Sequence, residues 1–149
     1  NPQDFLSRAS ELFHKLEFEE GIALMPYAKE CLEYLKPKYR IALASSTRNE
    51  LVIRQLKNAK VLEFFEVIVT GDMVLHSKPD PEIYLKACEE LNIPPENCIA
   101  IEDSPNGLKS AFFAGLNTIM VPDKIQPNEE LNQFIWQKCD SLKNVIDML

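Results

Sequence analysis

No apolar run in this sequence of 149 residues approaches the length of a membrane span. The opening residues, NPQDFLSRAS, lack the basic-then-apolar layout of a signal peptide. Basic clusters are missing too: 16 Lys and Arg stand against 23 Asp and Glu, a net charge of −7. An acidic chain without a basic patch argues against nucleic acid as the main partner. A local site can still take an anionic ligand against the global sign. Cys31, Cys88, Cys98 and Cys139 show no CxxC spacing and no Cys/His cluster, so a cysteine-based zinc site is not expected. Buried, reduced thiols in a cytoplasmic protein are the expectation instead. Internal repeats and low-complexity tracts are absent. What is present is a globular composition, 46% hydrophobic and 26% charged, in a chain long enough for one domain.

Apolar periodicity organises the rest. Phe5, Leu6, Ala9, Leu12, Phe13 and Leu16 recur at helical spacing, and EEGIALMP breaks that helix at Gly21 and Pro26. Ala28, Cys31, Leu32 and Leu35 predict a second helix ending before Pro37. The run from Tyr39 to Ser45 reads as a buried strand, followed by a helix carrying Leu51, Ile53, Leu56 and Ala59. FFEVIVTG is the next strand. Pro81 then opens a helix with Ile83, Tyr84, Ala87, Cys88 and Leu91 on its apolar face. CIAIED is a third strand, Leu108 to Gly115 a helix, NTIMVP a fourth strand. The remainder from about Asn128 reads as helical, with a break near Cys139–Ser141. Alternating strands and helices predict an α/β domain around a mostly parallel sheet. Its ligand would sit beyond the carboxyl ends of the strands, where the sequence has SST, TGD, ED and PD.

Three stretches suit phosphate chemistry there. Ser45 and Ser46 close a strand before a helix, where hydroxyls and free backbone N–H groups bind phosphate or simply cap the helix. Lys78, in SKPDPEIY, is either a site cation or a solvated surface charge. Glu102 and Asp103 end an apolar run. Side by side they repel, and they suit a hard cation such as Mg²⁺, unless Asp103 or Ser104 serves as a helix cap.

Taken in order, LASST, then GDMVLHSKPDPEIY, then IEDSPNGLKSAFFAGL, the chain resembles the haloacid-dehalogenase superfamily, nearest its β-phosphoglucomutase-like subgroup. The match runs from about Met25 to Val121. A response-regulator receiver uses similar groups in the reverse order, acids first and lysine last. The resemblance implies a Rossmann-type three-layer α/β core over 23–149 and the tail of a helical cap over 1–22. It further implies that Ser45, helped by the Ser46 N–H, binds the phosphoryl group, that Lys78 neutralises its charge, and that Glu102 and Asp103 hold Mg²⁺. Thr47, Arg48 and Asn49 align with a substrate-contacting stretch. Gly107 and Gly115 match small positions of the family's last helix.

One family feature is missing. The family starts with an aspartate nucleophile in a D-x-D motif, and none of Asp4, Asp72, Asp80, Asp103, Asp123, Asp140 and Asp147 begins one. The expectation is a truncated protein that lacks the central nucleophile strand, which the family sets between the strands ending at Ser45 and Asp103. The intact product would be a Mg²⁺-dependent phosphatase for small phosphate esters such as sugar phosphates. A β-phosphoglucomutase-type mutase is one alternative. A non-catalytic remnant that binds a partner or a phosphorylated ligand is another. The missing N-terminal segment is itself a candidate partner.

Overall fold

The computed structural model describes residues 17–18, 21–22, 28–121 and 129–149. The helix expected over Phe5–Leu16 and the strand end at Pro122–Asp123 lie outside them, as does most of the stretch assigned to a cap. Glu17–Phe18 (β1) and Gly21–Ile22 (β2) form a two-residue antiparallel pair. Helix α1 spans Ala28–Leu35, β3 Ala42–Ser45, α2 Asn49–Asn58, β4 Val67–Thr70, α3 Glu82–Leu91, β5 Ile99–Glu102, α4 Pro105–Ala114 and β6 Asn117–Met120. Four of these strands and four helices follow the order that periodicity predicts, each strand trimmed to four residues.

The C-terminal stretch departs from expectation. It is not continuous helix: α5 (Glu129–Asn132) gives way to β7 (Gln137–Lys138), and α6 covers Leu142–Met148. Strand β7 has both side chains exposed, so it carries no apolar signal. Main-chain hydrogen bonds make it, from Trp136 N–H to Thr118 O and from Cys139 N–H to Met120 O, each 2.9 Å.

Two parallel ladders result. Strands β3 and β4 pair from Ala42↔Val67 to Ser45↔Thr70, while β5 pairs with β6 from Ile99↔Asn117 to Glu102↔Met120, and β6 with β7. Among the described residues β3 and β5 share no ladder.

Side-chain alternation sorts the strands between two cores. Ile41, Leu43, Ile99, Ile101 and Ile119 point into one, with Leu32 and Leu35 of α1, Val52 and Leu56 of α2, and Val145 of α6. Ala42, Ala44, Val69 and Ala100 face the other, against Ile83, Tyr84, Ala87 and Leu91 of α3 and Ala111 of α4. Helices on both faces make three layers. The second face is mostly alanine, which lets α3 lie close to both ladders.

Local chemistry ends the helices where the sequence requires. Asn92 (φ 58°) and Gly115 (φ 96°) close α3 and α4 in the left-handed region. Pro105 stands at the start of α4, where its missing N–H costs nothing. All four cysteines are buried and none is in a disulfide. Burial, with smaller contributions from Cys139 and Glu30, pushes the Cys31 thiol up to about 12, so it is inert as a nucleophile near neutrality. Among the described residues no helix is long and apolar enough to cross a membrane.

Candidate active site

Strand β5 delivers Glu102 and Asp103 to its carboxyl end, each 2% exposed. The cap of the following helix is Ser104, whose Oγ accepts the Gly107 N–H at 3.1 Å. Asp103 is therefore not needed as a cap. Gly107 has a packing reason: a Cβ there would overlap the Glu102 carboxylate, standing 2.7 Å from Oε2.

Lys78 leaves its loop inward, with a side chain only 3% exposed. Its ammonium donates to Glu102 Oε2 at 2.8 Å and to the Ala44 carbonyl at 3.3 Å. One cation thus touches the last residue of β5 and the penultimate residue of β3, spanning the two ladders. The surface-charge reading of Lys78 does not describe this geometry. Glu102 has a second donor on the same oxygen, the hydroxyl of fully buried Tyr84. The Lys78 ammonium lies 5.3 Å from the Tyr84 ring centroid, within cation–π range. Two like charges at a strand tip need a counter-charge, and Lys78 is the one seen beside Glu102.

Tyr84 counts in the sequence as one more apolar position of α3, so its part in the site goes unread there. The available signal is general: a buried tyrosine hydroxyl finds a partner. Tyr84→Phe keeps the ring and removes one hydrogen bond to a buried carboxylate. A loss of about 1.5 kcal/mol is expected, since Lys78 still serves that oxygen. Chemical denaturation of the two proteins checks this, and equal midpoints would show the hydroxyl to be dispensable.

Ser45 ends β3, 4% exposed, its Oγ accepting the Thr47 N–H at 3.2 Å. Ser46 is exposed. Helix α2 starts only at Asn49, with Arg48 at the cap position and no cap from its own side chain. The Ser pair is therefore not the helix cap. Asp72, beyond the end of β4, caps the helix instead, because its Oδ1 accepts the Asn49 N–H at 3.0 Å and the Thr70 hydroxyl at 2.6 Å. The Thr70 hydroxyl first, then the Asn49 amide, hold the Asp72 carboxyl below its ordinary range. The Gly71 N–H donates to Thr47 O at 2.9 Å, so the β3–α2 and β4 loops form one tied unit. Arg48 is exposed while Thr47 and Asn49 are half-buried on this unit.

A buried lysine and a pair of acids at the carboxyl ends of parallel strands, with a serine at the end of a neighbouring ladder, define the class of α/β proteins that bind ligands at strand ends. The chain belongs to the haloacid dehalogenase-like hydrolase family, whose model matches residues 1–121. It is 40% identical over 106 residues to the phosphorylated carbohydrates phosphatase of Thermotoga maritima, covering 70% of this chain and 49% of that protein. The crystal structure of CbbY from Rhodobacter sphaeroides with xylulose-(1,5)bisphosphate superposes with a TM-score of 0.74 at 37% identity, over 83% of this chain and 56% of that one. The β-phosphoglucomutase of Clostridium difficile gives a TM-score of 0.70 at 27% identity, over 82% of this chain and 52% of that one. The chain spans about half the length of the curated relatives it matches.

Proposed function

We propose that the protein carrying this chain is a Mg²⁺-dependent phosphatase for small phosphate esters, with sugar phosphates as the substrate class. The supporting observation is the buried Lys78 ammonium held between the end of β3 and the end of β5. Phosphoryl transfer asks little of a protein beyond position and charge. Ser45 and the Ser46 N–H bind phosphoryl oxygens in this reading, and Lys78 neutralises them. Thr47, Arg48 and Asn49 face the rest of the substrate. Glu102 and Asp103 offer carboxylate oxygens only, and Ser104 already caps α4; such a donor set fits Mg²⁺. Asp103 and Glu102 would hold the ion, which when bound supplies further positive charge for the phosphoryl group. Glu102 then serves both the ion and Lys78. In this reading the attacking carboxylate is an aspartate upstream of Asn1, because no aspartate of the chain begins the D-x-D motif of the family, Asp103 is committed to the ion and Asp72 caps α2.

Phosphate release from sugar phosphates, with Mg²⁺ and with a chelator, tests the proposal on the 149-residue chain and on a product extended upstream. The extended protein is expected to turn over only with metal, and Asp103→Asn to abolish that turnover. The short chain is expected to be inactive. Turnover by the short chain that Asp103→Asn abolishes would place the nucleophile elsewhere. Isomerisation of the substrate without phosphate release would make the protein a mutase.

A further inference from the structure

The loop that presents Lys78 inward has a second face. His76, Asp80 and Glu82 project from that outer face, and one ligand atom from each lies within 4.8 Å of the others. The His76 Nδ1 stands 2.9 Å from Glu82 Oε1. Glu82 is already fixed, because Oε2 accepts the Leu75 N–H at 2.8 Å and Oε1 the His76 N–H at 2.9 Å. Asp80 is fixed from both ends: Oδ1 accepts the Glu82 N–H at 2.9 Å, and its carbonyl accepts the Ser110 hydroxyl of α4 at 2.6 Å. Beside the cluster lies a surface concavity of about 600 Å³, lined by Leu75, Pro79, Pro81 and Phe113 together with His76 and Asp80.

We propose that His76, Asp80 and Glu82 form a separate binding site for a first-row transition ion of the Zn²⁺ type. One imidazole nitrogen with two carboxylates suits such an ion, whereas Mg²⁺ favours oxygen alone. Ligands on a tetrahedral Zn²⁺ stand about 3.3 Å apart. His76 Nδ1 and Glu82 Oε1, 2.9 Å apart, are already near that spacing, and all three ligand atoms lie within 4.8 Å of one another. Two carboxylate charges outweigh the roughly half positive charge at the start of α3. Three protein ligands leave a coordination position open toward the concavity, where a small anion or water completes the shell. The site lies on the opposite face of the loop from the acids of β5. Occupancy clamps the segment that carries Lys78 without drawing on Glu102 or Asp103. The sequence offers no sign of it, because His76 and Asp80 sit in a loop and Glu82 opens α3 without metal-motif spacing, and no cysteine takes part.

Zn²⁺ itself is the probe, followed by calorimetry and by NMR of histidine-labelled protein. The chain has two histidines, His14 and His76, so the ring signals are few. Zn²⁺ is expected to shift the His76 signals and leave those of His14 in place. His76→Ala, at an exposed position, is expected to weaken uptake about tenfold or more. Asp80→Asn keeps the oxygen that accepts the Glu82 N–H, and it too is expected to weaken uptake. His76 signals that do not respond to Zn²⁺ would overturn the site. So would uptake that survives His76→Ala and disappears in Asp103→Asn, which would put the ion on the β5 acids.

Discussion

Lys78→Ala is expected to cost about 3–5 kcal/mol of stability, because it strands a buried carboxylate. Glu102 is 2% exposed and its Oε2 takes the Lys78 ammonium at 2.8 Å. Without the ammonium, the Tyr84 hydroxyl is left on that oxygen, and a neutral donor does not balance a charge. A domain of this size has about 5–15 kcal/mol in total, so the variant approaches unfolding. The effect also runs through geometry, since the same ammonium links the Ala44 carbonyl of one ladder to β5 of the other. A double variant, Lys78→Met with Glu102→Met, removes both charges and fills similar volume. It is expected to recover most of the loss, because buried ion pairs gain little over well-packed apolar residues. Phosphatase turnover of the extended protein should not return with it, since Lys78 is proposed to act on the phosphoryl group and Glu102 to hold the ion. Urea unfolding and phosphate release, measured on the same samples, separate the stability of the charge pair from the activity of the site. A single variant within about 1 kcal/mol of the parent would show that the ammonium anchors nothing.

Gly71→Ala should be the next most damaging change. A Cβ at this position would overlap the Ser46 carbonyl oxygen and stand 2.9 Å from its carbon. These are backbone atoms, so no rotamer relieves the conflict. The Gly71 amide is also tied to Thr47 O, which stops the loop from simply swinging out. A loss of about 3 kcal/mol is expected, at the upper end for an overpacked site. The displaced atoms belong to Ser46 and Thr47, so the proposed phosphate loop should move with them. Thermal unfolding reads the first effect, and amide chemical shifts of Ser46 and Thr47 read the second. An unchanged melting temperature with unchanged shifts would mean that the loops are looser than the structure describes.

These two sites differ in how far the sequence disclosed them. Lys78 is one lysine among many until its order relative to Ser45 and Glu102–Asp103 is noticed. Order along the chain is legible; the inward turn of the side chain is not, because it depends on where α3 packs. The strands β3 and β5 are legible because both of their faces are buried and the sequence there is apolar up to a polar last residue, while β6 opens on Asn117 and Thr118 and shows its apolar signal at Ile119 and Met120. Strand β7 is illegible for the opposite reason, since only its backbone takes part. Competition between readings also had to be settled in space. Ser45 and Ser46 compete as caps with a residue on another loop, and Asp72 takes the cap from a distance of 23 positions along the chain. Asp103 competes with its own neighbour, and Ser104 prevails through its bond to the Gly107 amide. Tyr84 fits an apolar pattern so well that its hydroxyl leaves no trace in it.

The alanine face of the strands has an evolutionary consequence. Helix α3 begins four positions after Lys78 and shares one buried cluster with Ala42, Ala44 and Ala100. Adding a methyl or two at any of these positions lifts the helix, and with it the loop that aims the ammonium. Selection for altered catalysis or altered substrate can therefore act through residues that never meet a ligand. A mutational library confined to the visible cleft would miss them, while a library over these three alanines would sample graded settings of the lysine. The strand interior that holds the layers together also tunes the site.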